Sequence, residues 1–388
     1  MSWKESDRVS ERREFVELAS NEGANFAVLC RRFGVSRKTG YKWLGRFREG
    51  GVEALADRSR RPLNSPRRTS REVEELVLSV RDEHPTWCGR KIRARLQHLG
   101  HEAVPAASTI TAILHRHGRI TQQASDDRQH FTRFERTEPN DLWQIDFKGE
   151  FRMTNQAYCY PLTVLDDHSR YVVGLEACGR QTHDTVKDRL RGIFRRYGLP
   201  RTIYADNGVP WGSRNSPGGH TRLTAWLMRL DVRVIHGRPY HSQGRGKDER
   251  FHRTLKQECL QQRRTDDLSD AQQQFDPFRA MYNHERPHEA LDLNVPASRY
   301  LVSPRSFPES LPEYEYSSRF ETRRTNPVGQ FSFGGRVFKT SEAFQNDTIG
   351  LASTNEPDVF EVYYRRFPIG VIDFKDPRSR INSRNRTD

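Results

Sequence analysis

Long apolar runs are missing from this chain. Only 34% of its 388 residues are hydrophobic and the mean hydropathy is −0.90. No stretch approaches the roughly 20 consecutive apolar residues that a membrane-spanning helix needs. The opening MSWKESDRVSERRE is charged and lacks the apolar centre of a secretory leader, so none is expected. Cysteine is scarce too. The five (Cys30, Cys88, Cys159, Cys178 and Cys259) are scattered with no C-x-x-C pair. That argues against a disulfide framework or a zinc site and for a reducing cytosol. His84 and Cys88 could share a helix face, but two ligands do not make a structural zinc site. Acidic residues are the minority, 51 against 65 Lys and Arg, for a net charge of +14. With a pI near 9.8, a polyanionic partner is expected, nucleic acid rather than membrane. The length suggests two to four domains.

Against this background three acids stand out: Asp146 in DLWQIDFKGEF, Asp206 in RTIYADNG and Glu249 in SQGRGKDERFHRTLK. The first two sit at or near the ends of β-type runs and the third inside an amphipathic helical pattern. Each has a plainer reading alone: a strand-end residue, a type I′ turn at Asp-Asn-Gly, and a helix-surface ion pair between Glu249 and Arg253. If the three converge, their mutual repulsion calls for a counter-charge. Hard carboxylate oxygens suit Mg²⁺, and a pair of such ions serves phosphodiester chemistry.

The segments DLWQIDFKG, YPLTVLDDHSRYVVG, ADNG, GKDERFHRTLK and YNHERPHEAL, in this order, resemble the catalytic core of insertion-sequence transposases. These belong to the DDE, or retroviral-integrase, superfamily, and the resemblance runs from about Pro139 to Tyr300. It implies an RNase H-like fold, and catalytic, metal-binding roles for Asp146, Asp206 and Glu249. Two Mg²⁺ ions are implied as cofactors, with Mn²⁺ able to substitute. It further implies strand cleavage at an element end and 3′-OH transfer into target DNA, by a homo-oligomer bound to terminal inverted repeats. The setting would be the bacterial cytoplasm, at the nucleoid. Lys256 falls where the family places a lysine that contacts the DNA end, and Arg245 stands where relatives tend to have Asn. Asp248 is the rival for the third acid; on a helix it points about 100° away from Glu249. The stretch WGSRNSPGGHT, between Asp206 and Glu249, reads as a loop extension of the kind that lies over active sites. The Asn-His-Glu-Arg-Pro-His cluster of YNHERPHEAL is expected to cap the last helix and pack the end of the core rather than form an extra nuclease site, and Glu285 is not the third acid. Two other classes compete: a DNA-binding regulator with a dead core, and a structure-selective nuclease.

The expected fold class is multidomain. Helix-turn-helix units fill residues 1–56 and 70–118, separated by a basic linker at 57–69. A tether at 119–138 leads to an α/β RNase H-like core at 139–303, built on a mixed five-stranded sheet. A small β domain of barrel-like type at 313–377 and a basic tail at 378–388 close the chain. In the first unit, Ser36 caps a helix that presents Arg37, Lys38 and Lys42 to DNA, with Trp43, Leu44 and Phe47 partly in the core. Arg58, Arg60, Arg61, Arg67 and Arg68 in the linker should track phosphates. In the second unit Ser70 and Ser108 are the expected caps, Ser108 opens the reading helix, and Arg90, Lys91, Arg93 and Arg95 are candidates for phosphate. In the core, strands are expected through Asp146, at Tyr158–Asp166, Tyr171–Glu176, Arg201–Asp206 and Val232–His236. Helices are expected at about His183–Tyr197, Thr221–Leu230, Lys247–Arg263 and Ser269–Tyr282. Glu249, His252, Arg253 and Lys256 share one helix face and, with Arg245 and Lys247, are candidates to hold a DNA backbone.

Overall fold

The computed structural model describes residues 8–57, 69–120, 135–213, 217–237, 246–376 and 381–382. Most of the linker, most of the tether and most of the tail lie outside the described residues. The chain divides into two compact units, Met1–Arg68 and Thr69–Asp388.

The first unit is three helices, α1 (Arg8–Ala19), α2 (Phe26–Arg32) and α3 (Arg37–Gly50). Ser36 caps α3 by accepting the Thr39 N–H at 3.1 Å, and Gly34, at a φ of +64°, makes the turn before it. Phe15, Val16, Cys30, Trp43, Leu44 and Leu55 form the core. Gly40 allows the helices to close, since a Cβ there would meet Phe15, Phe26 and Cys30 at 2.9 Å.

The second unit opens with α4 (Arg71–Glu83), α5 (Gly89–His98) and α6 (Ala107–Arg116) around Val77, Trp87, Ile92, Leu96, Ile110 and Leu114. The expected caps need correction. Ser70 is at the N-cap but makes no side-chain cap bond. Helix α6 begins earlier than the sequence suggests, with Ala106 at its N-cap and Ser108 inside the first turn. Gly89 brings α5 so close to α6 that a Cβ would meet the Ala107 carbonyl at 2.6 Å. His84 ends α4 while Cys88 caps α5, so they share no helix.

The core follows with β1 (Leu142–Phe147), β2 (Phe151–Arg152), β3 (Tyr158–Asp166), β4 (Val172–Cys178), α7 (His183–Tyr197), β5 (Thr202–Ala205), α8 (Arg222–Arg229) and β6 (Arg233–His236). Helix α9 (Gly246–Leu255), continued by a wider π-turn at Lys256–Leu260, and α10 (Leu268–His284) complete it. The main sheet runs β4-β3-β1-β5-β6, with β3 antiparallel to both of its neighbours and β5 and β6 parallel to β1. This is the mixed α/β sheet expected, with a sixth, two-residue strand β2 on β3 that the sequence reading omits. Period-two alternation sorts the side chains. Trp143, Ile145, Leu162, Val164, Ile203 and Ala205 face α7 and α8. Leu165, Val172 and Leu175 face α9 and α10.

The β domain holds an antiparallel sheet ordered β13-β12-β11-β10-β7, from β7 (Glu321–Arg324), β10 (Thr348–Ser353), β11 (Val359–Tyr364), β12 (Phe367–Asp373) and β13 (Ile381–Asn382). A hairpin, β8 (Gln330–Phe333) and β9 (Arg336–Lys339), turns at Gly334 and Gly335, both of positive φ. Phe331, Phe333 and Phe338 of the hairpin pack with Ile349, Leu351 and Val362, and with Ala225 and Met228 of α8. Among the described residues the five-stranded sheet stays open, two packed antiparallel sheets rather than a closed barrel.

Phe194 of α7 is fully buried, with ring centroids 6.0 Å from Trp143 and 5.8 Å from Trp226. Phe194→Ala should lower the unfolding free energy by about 3–5 kcal/mol, measurable by urea denaturation.

Candidate active site

Asp146 lies one residue before the end of β1. Its carboxylate accepts the Phe147 N–H at 2.9 Å and its carbonyl accepts the Thr163 hydroxyl at 3.1 Å. Asp206 is the residue after β5, accepts the Asn207 N–H at 2.6 Å, and its carbonyl is 2.8 Å from His236 Nδ1. The parallel register of β1 on β5 runs Leu142–Thr202, Trp143–Ile203, Gln144–Tyr204. Asp146 and Asp206 each follow the last of these pairs by two residues, Asp146 within β1 and Asp206 just past the end of β5. Both alternate with residues that face α7, so both lie on the α9 side of the sheet. Neither Asn207 nor Gly208 has a positive φ, so Asp-Asn-Gly is not a type I′ turn. Asn207 instead donates to the Gly237 carbonyl at 2.8 Å and ties the loop to β6.

Helix α9 crosses this face. His252 is 2.9 Å from the Thr163 hydroxyl, and Thr163 is the strand partner of Asp146. Burial, aided by the nearby Lys148 ammonium, holds the His252 pKa down to about 4, so the ring is neutral at physiological pH. Lys148 is itself shifted down by burial and by Lys256. Glu249 stands one turn before His252 and is exposed. It forms no hydrogen bond or ion pair with the described residues, so the surface pairing with Arg253 is not made. Asp248 is 3% exposed and turns inward under α9. Among the described residues no three His, Cys, Asp or Glu side chains are close enough together to form a metal cage. The donor chemistry, two carboxylates on one face and a third on the crossing helix, nevertheless suits a hard divalent cation.

The other expected residues are placed unevenly. Arg37, Lys38 and Lys42 lie exposed on α3, while Trp43 and Leu44 are buried. Ser108 is exposed at the start of α6, and Arg253 and Lys256 are exposed on and just past α9. Lys247 pairs with the fully buried Asp167. Arg90 pairs with Glu289 at 2.9 Å, Arg95 with Glu285, and burial together with Arg286 pushes Lys91 down to about 8. Arg58, Arg60, Arg61, Arg67, Arg68 and Arg245 lie outside the described residues. Glu285 is the C-cap of α10. Of the loop extension, Ser213 N–H donates to the Gly219 carbonyl at 3.1 Å, and the His220 carbonyl accepts from Ser341 at 2.9 Å. Its described part is therefore fastened to the β domain.

Thr163, Lys148 and Trp211 were not singled out from sequence. Trp211 is buried near Phe147, ring centroids 6.1 Å apart, and links the loop after Asp206 to the residue after Asp146. Thr163, a polar residue within the apolar run of β3, was the one available signal.

Comparison with known proteins agrees with this architecture. One Integrase core domain family matches residues 136–242 and a second matches 230–296. A Helix-turn-helix domain matches 11–62 and a Homeodomain-like domain 39–114. The Gag-Pol polyprotein of baboon endogenous virus is 29% identical over 157 residues, 40% of this chain and 9% of that protein. An uncharacterized 39.2 kDa protein of insertion element IS476 from Xanthomonas euvesicatoria is 26% identical over 168 residues, 43% of this chain and 46% of that one. The chain thus spans less than half the length of these curated relatives. Among solved structures, a simian T-cell lymphotropic virus intasome chain aligns at 17% identity and a TM-score of 0.37, covering 76% of this chain and 97% of that one. The HTLV-2 integrase catalytic core domain in complex with magnesium aligns at 13% identity and a TM-score of 0.32, covering 42% and 97%.

The chain thus carries an integrase core region at 136–296, preceded by regions that match helix-turn-helix and homeodomain-like domains. No helix among the described residues is long and apolar enough to cross a membrane.

The buried neutral state of His252 has a thermodynamic consequence. The unfolded chain protonates this histidine near the ordinary value of 6.5, whereas the folded chain does so only near about 4. Stability contributed by His252 is therefore present above 6.5 and lost as pH falls toward 4. At pH 5 the loss should be on the order of 2 kcal/mol. Urea denaturation at pH 7 and pH 5 checks this, with His252→Gln expected to show the smaller drop.

Proposed function

We propose that this protein is a DNA transposase that binds the terminal inverted repeats of a mobile element and joins its 3′ ends to target DNA. The observation that carries the reading is that Asp146 and Asp206 follow the paired ends of the neighbouring strands β1 and β5, on the face crossed by the helix of Glu249. In this reading Asp146, Asp206 and Glu249 hold Mg²⁺, and Asp248, turned inward, does not. Bound there, Mg²⁺ would favour the attacking oxygen as a nucleophile and stabilise the leaving one. Water first cleaves a phosphodiester at the element end and frees a 3′-OH, which then attacks a target phosphodiester and displaces its 3′ oxygen. Arg253 and Lys256 hold the backbone beside the acids. His252, uncharged, fixes α9 to Thr163 rather than competing for phosphate.

The exposed cations of α3 read the element end, with Arg37, Lys38 and Lys42 toward the groove and its phosphates. Two ends must meet for both to be joined, so the working form is a homo-oligomer on DNA, at work in a bacterial cytoplasm.

The test is a cleavage and strand-transfer assay on duplexes carrying the flanking ends of the element, with Mg²⁺ or EDTA. Asp206→Ala, Asp146→Ala and Glu249→Ala should each reduce joining by at least about 10³-fold with end binding retained. Tight binding without cleavage under any divalent metal would replace this reading with a regulator. Joining retained in Glu249→Ala but lost in Asp248→Ala would move the third acid.

Replacing Arg37, Lys38 and Lys42 together with Ala should weaken end binding by about 10-fold or more at 0.1 M salt and reduce the salt dependence by about three phosphate contacts. Unchanged affinity in a fluorescence-anisotropy titration would remove α3 as the reader.

A further inference from the structure

The cations of the second helix-turn-helix unit that sequence reading assigns to phosphate are engaged with carboxylates of the core. Glu289, in the turn after α10, receives Arg90 of α5 at 2.9 Å on one oxygen and Arg250 of α9 at 3.1 Å on the other. Arg250 is the residue after Glu249. At the other end of α9, the π-turn carries Glu258, whose carboxylate takes three hydrogen bonds of 2.9–3.2 Å from Arg286. Both side chains of that pair are under 10% exposed. Lys91 of α5 adds its charge, and Thr86, between α4 and α5, also lowers the Glu258 pKa. Burial alone would raise the Glu258 pKa, but Arg286, Lys91 and Thr86 more than offset it and keep the group anionic. Arg95 pairs with Glu285, and Met281 of α10 packs against the apolar core of the helical unit.

We propose that the second helix-turn-helix unit is a positioning element for the active site, gripping the start of α9 through Glu289 and so setting where Glu249 stands. Each isolated surface pair would be worth little. Here one carboxylate is shared by two helices, and the buried Glu258–Arg286 pair holds the far end of α9 to the same segment after α10. A shift of α5 when an element end binds is passed to Arg250 and hence to its neighbour Glu249. Arg90, by the same geometry, serves turnover rather than affinity. The proposal rests on the transposase reading for its catalytic consequence, but the mechanical link does not depend on it.

The test uses the full chain and four variants: Glu289→Ala, Arg90→Ala, Arg250→Ala and the Arg90→Ala/Arg250→Ala double. Hydrogen exchange of the α9 amides is followed without DNA, and end affinity, kcat and KM are measured with an element-end duplex. Glu289→Ala should exchange several-fold faster across 249–256 and lose on the order of tenfold in kcat, with end affinity and KM within about twofold. Arg90→Ala and Arg250→Ala should each do likewise and combine non-additively, since both act through one carboxylate. Wild-type exchange and kcat in Glu289→Ala would overturn the proposal. So would Arg90→Ala if it weakened end binding and flattened its salt dependence, which would make Arg90 a phosphate contact. If the wild-type protein does not cleave, the transposase reading fails by itself, and the exchange experiment still decides whether the helical unit holds α9.

Discussion

Parallel pairing of β1 with β5 is the contact on which the rest depends. Parallel strands cannot be joined by a tight turn, and the crossover from β4 to β5 is made by α7, whose Val186, Leu190, Ile193 and Phe194 cover one face of the sheet. Once that face is sealed, alternation leaves Gln144, Asp146, Tyr204 and Asp206 on the other. The register puts both acids just past the last paired residues, at the carboxyl ends of neighbouring strands, where open α/β sheets place their ligands. Helix α9 then approaches through polar contacts, His252 to Thr163 and Lys247 to Asp167, without burying Glu249.

Much of this could be read in the sequence, because the signals were periodic. Strand β3 and helix α7 have the bounds that alternation and the 3.6-residue repeat give, Tyr158–Asp166 and His183–Tyr197. The three acids were legible as strand-end and helix residues in a recognisable order. The misses are local features decided by distant parts of the chain. Strand β2 is two residues long, too short for any period. Ser108 looked like a cap because its chemistry suits one, but α6 starts earlier, with Ala106 at its N-cap. Arg90, Lys91 and Arg95 carried no sign that carboxylates nearly two hundred residues away would meet them. The loop after Asp206 has the composition of a free segment, yet Ser341 and the β domain hold its end.

The basic composition also reads differently once the fold is known. Part of the positive charge is internal structure. Glu135 is shared by Arg170 and Arg299, at 2.7 and 2.8 Å, and Arg286 is committed to Glu258. The DDHSR turn works in the same way. Asp166 is fully buried and accepts from the Asn140 and Ser169 amides and the Ser169 hydroxyl, while Asp167 takes Gln144 and Lys247. These acids lie between Asp146 and Asp206 in sequence, but they brace the sheet and the start of α9. An arginine count overstates the surface available to DNA.

Helix α8 belongs to two interiors at once. Leu223, Trp226, Leu227 and Leu230 complete the packing under the catalytic sheet, while Ala225 and Met228 lie among the phenylalanines of the β domain. The partners of that second side include Phe367, Ile369 and Ile372, far from α8 in sequence. A chain that lacks them keeps all three acids yet presents an unfinished apolar helix to water, so the β domain is a condition for burying the helix that covers the sheet of Asp146 and Asp206.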